Sequence, residues 1–337
     1  MPGALNAITD VAGVRVGHVT LRQADNIRTG ATAILPHGDN VYQSRVPAGL
    51  QVMNGFGKLA GSTQIEELGE LETPIVLTNT LAVAAGMQAL IDWTLSQPGN
   101  EAVRSVNAVV GETNDSVLNA IRKRALTADH IITALTEANS GPVVEGSVGA
   151  GTGTIALGWK GGMGTSSRRV QDWTVGVLVQ TNFGGSLVMD GIPVGAALNS
   201  RGVSLRIQEK TAEHGSIMIV VATDAPLSSR NLKRLANRAF AGMARTGASF
   251  SNGSGDYAIA FSTAKSVRRN HRSAQTLSND AMTALFVAVA EATEESILNA
   301  ALSATDVESR DEVTEAHRIV RALPLDKVKD IIAEHRG

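Results

Sequence analysis

The chain contains no cysteine. A disulfide framework, a thiolate zinc site and a cysteine nucleophile are therefore excluded. Aromatic residues are scarce at 3%, too few for an aromatic-rich recognition surface. Charge is nearly balanced, with 30 Lys and Arg against 32 Asp and Glu and a net charge of −2. Nothing in that balance drives binding to a polyanion, so no nucleic-acid partner is expected. No stretch approaches the roughly 20 apolar residues of a membrane span. The opening MPGALNAITDVAGVRVGHV lacks the charged-then-apolar pattern of an export signal, and the expectation is a soluble cytoplasmic protein. The seven histidines show no H-E-x-x-H and no ligand spacing, which disfavours a metalloaminopeptidase. Neither a metal nor an organic cofactor is expected.

What the chain does have is 34 glycines and 43% hydrophobic residues over 337 positions. That supports a substantial core with tight turns and close backbone packing. Strands are expected at Val11–Thr20, Ala31–Pro36, Pro74–Asn79, Asn107–Gly111, Trp173–Gln180, Ser216–Ala222 and Tyr257–Ser262. Helices are expected at Thr63–Leu71, Thr80–Leu95 with Thr80 as N-cap, Ala128–Ala138, Ser228–Arg245, Asp280–Ala301 and Leu323–His335. In the fourth of these, Leu232, Leu235, Ala236, Ala239, Phe240 and Met243 share one stripe. Ser216–Ala222 (SIMIVVA) is almost uniformly apolar and should be buried on both faces. Strands and helices mix without a regular alternation, without repeats and without a long linker, so a single α/β or α+β domain is the simplest architecture.

A Gly-rich run, Gly146–Gly164, contains Gly151-x-Gly153-x-x-Ala156, a form of the dinucleotide fingerprint. Such a turn should open a helix, whereas this one leads into Thr154–Trp159, which reads as a strand. A hairpin with tight backbone packing is preferred.

Taken alone, Ser216 is an ordinary residue at a loop-to-strand junction, where the polar stretch Gln208–Gly215 meets the apolar strand. Its surroundings carry more. LNAITDVAGVRVGH (Leu5–His18), EGSVGAGTGTIALGWKGGMGTSSR (Glu145–Arg168), VGVLVQTNFG (Val175–Gly184), GSIMIVVATDAPL (Gly215–Leu227), NGSGDYAIAFST (Asn252–Thr263) and LSNDAMTALFVAVAEATEESILNA (Leu277–Ala300) occur in that order. Together they resemble the L-aminopeptidase/D-amidase-esterases and β-peptidyl aminopeptidases, self-processing serine hydrolases of the N-terminal-nucleophile type. The likeness spans nearly the whole chain.

The resemblance implies a four-layer αββα sandwich of two mixed sheets with helices on both outer faces. It implies a cut between Gly215 and Ser216, giving an α chain 1–215 and a β chain 216–337, with Ser216 as nucleophile. A hydroxyl next to a peptide carbonyl can attack it, and the freed α-amine, with a pKa near 8, can serve as base. Gly215 suits such a junction through low steric hindrance and tolerance of strained dihedrals. Ser254 and Asp256 match the pair that orients the nucleophile, Asp256 standing where several members carry Glu. Asn182 matches the side-chain donor to the oxyanion. Asn114 replaces a Tyr found in some members and is a substrate-binding candidate.

Asn54-Gly55 and Thr78-Asn79-Thr80 are expected to be turn and cap residues, Asp224 to close a turn, and His214 to be exposed beside the cut. The expected activity is release of N-terminal residues from small peptides, amides or esters through an acyl-Ser216 intermediate, in a homo-oligomer, a tetramer by resemblance. The alternatives are an ω-amidase, an oligoamide or pantetheine-type amide hydrolase on the same fold, or an uncleaved, non-enzymatic binding protein.

Overall fold

The computed structural model describes residues 1–203, 215–269 and 275–337. The polar stretch Gln208–His214, and with it His214, lies outside the described residues. Strands run in chain order β1 (Arg15–Gln23), β2 (Ile27–Leu35), β3 (Val46–Gly55), β4 (Leu59–Ala60), β5 (Glu70–Leu71), β6 (Ile75–Asn79), β7 (Val109–Thr113), β8 (Ile155–Ala156), β9 (Trp159–Lys160), β10 (Met163–Val170), β11 (Trp173–Asn182), β12 (Ser216–Thr223), β13 (Gly255–Ser262), β14 (Val307–Arg310) and β15 (His317–Val320). The α-helices are α1 (Ser62–Leu68), α2 (Val83–Leu95), α3 (Ala128–Thr136), α4 (Val194–Ser200), α5 (Ser229–Arg245), α6 (Met282–Leu302) and α7 (Leu325–Arg336).

Two mixed sheets form the centre. One has the order β1-β2-β6-β7-β4, the other β10-β11-β12-β13-β3-β5. Within the second, β12 pairs antiparallel with β11 and parallel with β13. Side-chain alternation sorts the layers. Met218, Val220 and Ala222 of β12 point between the sheets, against Leu77 and Val109 of the first sheet. Ile217, Ile219 and Val221 point outward, into a core shared with Leu232, Leu235, Phe240, Leu285 and Val289 of α5 and α6. Helices α2 and α3 cover the far face of the first sheet through Leu90, Ile131 and Leu135. The layers are therefore helix, sheet, sheet, helix, the four-layer sandwich expected. All eight residues of β12 are buried, which explains why its sequence carries almost no polar alternation.

Glycine sets how closely the outer helices approach. A Cβ on Gly164 of β10 would lie 1.9 Å from the Ser296 carbonyl oxygen of α6, and one on Gly49 of β3 would lie 2.2 Å from the Lys233 amide of α5. Both helices seat their backbones directly on the sheet at these points.

Several local expectations shift. The strand expected at Val11–Thr20 begins only at Arg15, because Ile8–Asp10 form a 3-10 turn closed by the Asp10 side chain. The helix expected from Thr80 is capped instead by Asn79, whose side chain accepts from the amides of Leu81 and Ala82. The Thr80 hydroxyl donates to Glu112. The stretch Thr154–Trp159, read as one strand, is broken by a turn at Leu157 and Gly158, with φ of 52° and 81°, into the β8–β9 hairpin, so the hairpin is present but its turn falls inside the expected strand. Asp224 accepts the Thr174 amide at 2.7 Å, extending the β11–β12 ladder by one cross-strand bond rather than closing a local turn. No expectation covered β3, though it pairs along most of β13.

Replacing Gly164 by Val should destabilise the fold by about 1–3 kcal/mol, the usual range for overpacking a well-filled interior. Thermal melting followed by circular dichroism checks this. An unchanged melting temperature would mean that α6 is free to lift off the sheet.

Candidate functional site

The site lies at one end of the second sheet, where three neighbouring strands present a side chain or an amide side by side. Asn182, the last residue of β11, is paired with Ser216, the first of β12, and Ser216 is paired in turn with Gly255, the first of β13. Alternation puts Asn182 and Ser216 on the inter-sheet face, continuing Gln180 and Met218. Directly opposed residues of an antiparallel pair hold their Cβ atoms about 4.5–5.5 Å apart.

The Ser216 hydroxyl donates to the carbonyl oxygen of its own predecessor, Gly215, at 2.6 Å. The Gly255 amide donates to the same carbonyl oxygen at 3.1 Å and to Ser216 Oγ at 3.3 Å. One peptide carbonyl is thus polarised by a main-chain donor while a hydroxyl lies against it. Gly215 does not occupy the left-handed region, so strained dihedrals are not what requires glycine here. A Cβ at this position would lie 2.8 Å from Phe183 Cα, and close packing on the β11 end is the reason.

Ser254 donates its hydroxyl to Asp256 Oδ1 at 2.5 Å, and Asn54 donates its amide to Asp256 Oδ2 at 2.9 Å. Both carboxylate oxygens are therefore held, and a register shift in the β13–β3 ladder falls between Asp256 and Tyr257, a bulge of the kind that re-aims a side chain. Burial raises the Asp256 pKa above the ordinary carboxylate range, against the pull of these two hydrogen bonds. Asn54 was expected to be a turn residue; it is instead a partner of Asp256. The Ser254 hydroxyl hydrogen goes to Asp256, so the pair is joined to Ser216 through the backbone of Gly255.

Asn182 has its carboxamide fixed at both ends. Oδ1 accepts the Ile155 amide at 3.0 Å and Nδ2 donates to the Asn114 main-chain carbonyl at 3.1 Å. The contribution of Asn114 is thus its backbone. Its side chain is exposed and accepts the Ser116 amide at 2.9 Å, an Asx turn.

Two buried groups near the site were not singled out from the sequence. Glu112 is 2% exposed and its carboxylate accepts the Lys58 amide at 2.9 Å and the Thr80 hydroxyl. It lies against Gly57, which packs on Gly255. Lys160 is fully buried. A charged residue inside an otherwise apolar strand (VVGET for Glu112) and a lysine between tryptophan and glycines (GWKGG) were the available signals. Among the described residues no helix is long and apolar enough to cross a membrane.

Known proteins resemble this chain over nearly its whole length. Residues 6–315 match the model of peptidase family S58. The β-peptidyl aminopeptidase BapA of Sphingosinicella microcystinivorans is 40% identical over 366 residues, covering 99% of this chain and 89% of that protein. The solved structure of a Burkholderia sp. β-aminopeptidase superposes with a TM-score of 0.90 at 40% identity, covering 99% and 95% of the two chains. That of the L-aminopeptidase D-Ala-esterase/amidase of Ochrobactrum anthropi, described as a prototype for the serine aminopeptidases and a variant of the Ntn-hydrolase fold, superposes with a TM-score of 0.88 at 33% identity, covering 99% and 95%. The chain belongs to peptidase family S58 and is a hydrolase of the aminopeptidase and amidase type on that variant of the Ntn-hydrolase fold.

Proposed function

We propose that the chain cuts itself between Gly215 and Ser216 and then uses Ser216 as the nucleophile that releases N-terminal residues from small peptides, amides or esters. The observation that carries this reading is the Ser216 hydroxyl lying 2.6 Å from the Gly215 carbonyl oxygen, which also receives the Gly255 amide. In the first step Oγ bonds to the Gly215 carbonyl carbon, the C–N bond to Ser216 breaks, and the departing nitrogen takes the hydroxyl proton. Water then cleaves the resulting ester, leaving residues 1–215 with a new carboxylate and residues 216–337 with a free α-amine on Ser216.

In the second phase that amine, ionising near pH 8 when unperturbed, accepts the Ser216 hydroxyl proton as Oγ attacks the substrate carbonyl. Asn182 Nδ2 donates to the developing oxyanion. Ser254 and Asp256 orient the amine and hydroxyl, and the buried Asp256 carboxylate stabilises the ammonium that forms. Acyl-Ser216 is then hydrolysed by water.

A free amino group on the substrate fits the charge of the site. Asp256 and Glu112 are carboxylates close to the Ser216–Gly255 step, and Glu112 is already held by the Lys58 amide and the Thr80 hydroxyl, with the half-exposed Lys58 ammonium 3.9 Å away. We read Glu112 as the group that receives the substrate ammonium. The protein is further read as cytoplasmic and as an assembly of four copies. The exposed apolar side chains Val52, Met53 and Phe56 support association.

Ser216→Ala should give one band on a denaturing gel where the wild type gives two, and no hydrolysis of an aminoacyl anilide. N-terminal sequencing of the smaller wild-type band should begin Ser-Ile-Met-Ile. A split and active Ala variant would place the reactive centre elsewhere.

Glu112→Gln should raise KM for substrates with a free amine roughly 10–100-fold, since a hydrogen bond to a charged group contributes about 1.5–3 kcal/mol. Hydrolysis of N-acetylated analogues should not respond in this way. An unchanged KM for free amines would remove Glu112 from substrate binding.

A further inference from the structure

Lys160 is one of the largest fully buried side chains among the described residues. Lysine is almost never buried unless it is paired, and placing an ammonium in a protein interior costs several kcal/mol even after relaxation. Its position therefore needs a reason. Nζ donates to the main-chain carbonyls of Gly151 at 2.9 Å and Gly161 at 2.8 Å. These two carbonyls lie on either side of the β8–β9 hairpin, so the ammonium closes the loop from within.

The charges facing Lys160 are Asp115 and Arg22. Asp115 is itself buried, with its carboxylate accepting the Thr29 hydroxyl at 2.6 Å and the Asn119 amide at 2.9 Å. Arg22, which donates to the Ser147 carbonyl at 2.7 Å, opposes the lysine charge. Burial pushes the Lys160 ammonium down to about 7, Arg22 adds to that push, and Asp115 resists it.

The loop closed by Lys160 is tied to the end of β11 by several hydrogen bonds. Ile155 N–H reaches Asn182 Oδ1 at 3.0 Å, Gly162 N–H reaches Thr181 Oγ1 at 3.0 Å, Thr181 N–H reaches the Gly162 carbonyl at 3.0 Å, and Leu157 N–H reaches the Phe183 carbonyl at 2.8 Å. On its other side Asn182 donates to the Asn114 carbonyl at 3.1 Å, and the next residue is the anchored Asp115. The carboxamide thus sits between a loop cinched by Lys160 and a loop anchored by Asp115.

We propose that Lys160 is a positioning residue for hydrolysis: by drawing in the Gly151 and Gly161 carbonyls and facing Asp115, it fixes the loop whose Ile155 amide orients the Asn182 carboxamide toward the oxyanion. This rests on the reading of Asn182 as the oxyanion donor.

A double-mutant cycle in the full chain tests it, with kcat and KM for an aminoacyl anilide measured per mole of split chain. Asn182→Ala should lower kcat roughly 10²–10³-fold. Lys160→Met, which keeps length and removes the donors, should lower kcat roughly 10–100-fold with KM within about twofold, the signature of a misplaced transition-state group. In the Asn182→Ala background, Lys160→Met should add less than about threefold, because both changes act through one group. If Lys160→Met lowers kcat by the same factor in both backgrounds, Lys160 acts independently of Asn182 and the proposal is overturned. If Asn182→Ala alone leaves kcat unchanged, the oxyanion reading fails instead. Should Lys160→Met not fold, as judged by circular dichroism, Asp115→Asn takes its place in the same cycle, and the same comparison of factors decides.

Discussion

The arrangement depends on the alignment of three strand ends. Because β11, β12 and β13 pair in a single register, their terminal residues Asn182, Ser216 and Gly255 fall in one row. A shift by one residue in either ladder would turn Ser216 to the opposite face of the sheet. That register is fixed by burial on both sides. Met218 and Val220 fill the space between the sheets while Ile217, Ile219 and Val221 fill the space under α5 and α6, and neither set can be exchanged for the other without repacking two cores. The hydroxyl is positioned by the hydrophobic interior rather than by polar neighbours, which suits a residue whose own peptide bond is the first proposed target.

The polar framework around this row is built mainly from main-chain groups. The Gly255 amide, the Asn114 carbonyl and the Ile155 amide make the contacts that set Gly215 and Asn182 in place. Side chains then orient one another in pairs, Ser254 and Asn54 on Asp256. Asp256 is one methylene shorter than the Glu that the sequence resemblance leads one to expect at this position. Its two oxygens are nonetheless both engaged, because Asn54 lies across the β13–β3 ladder at the point where the register shifts. The shorter carboxylate is accommodated by its strand neighbour.

Much of the fold was legible from the sequence where the physical signal was local and strong. The apolar run Ile217–Ala222 and the amphipathic stripe of α5 are read directly from the pattern of apolar residues, whereas α2, rich in Ala, Leu and Met and so expected to be buried, buries one face through Gly86, Ala89, Leu90 and Thr94 and leaves Met87 and Leu95 exposed. Strand β3 was not legible because its sequence, VPAGLQVMNG, has proline as its second residue, contains two glycines and ends exposed. It is a strand because β13 pairs with it and α5 packs onto Gly49, which is a tertiary cause. Asn79 caps in place of Thr80 for a related reason. Both can cap a helix, and only the nearby carboxylate of Glu112, supplied by a different strand, draws the Thr80 hydroxyl away.

The site divides along the same line. Ser216, Ser254, Asp256 and Asn182 stand in segments whose combined likeness to a known family points to them, and the structure gathers them at one sheet end. What sequence reasoning did not reach is what holds them: the main-chain donors, which carry no residue identity, and the buried charges Glu112, Asp115 and Lys160, whose partners lie far away in the chain. Lys160 illustrates the difficulty most sharply. Read along the sequence it is one lysine in a Gly-rich hairpin, where solvent exposure is the ordinary outcome. In three dimensions the absence of side chains at Gly151, Gly161 and Gly162 brings backbone carbonyls and amides close enough to enclose it. The glycines that mimic a dinucleotide turn in sequence are thus among those that make room for a buried ammonium, in the loop proposed to steady the side chain paired with Ser216.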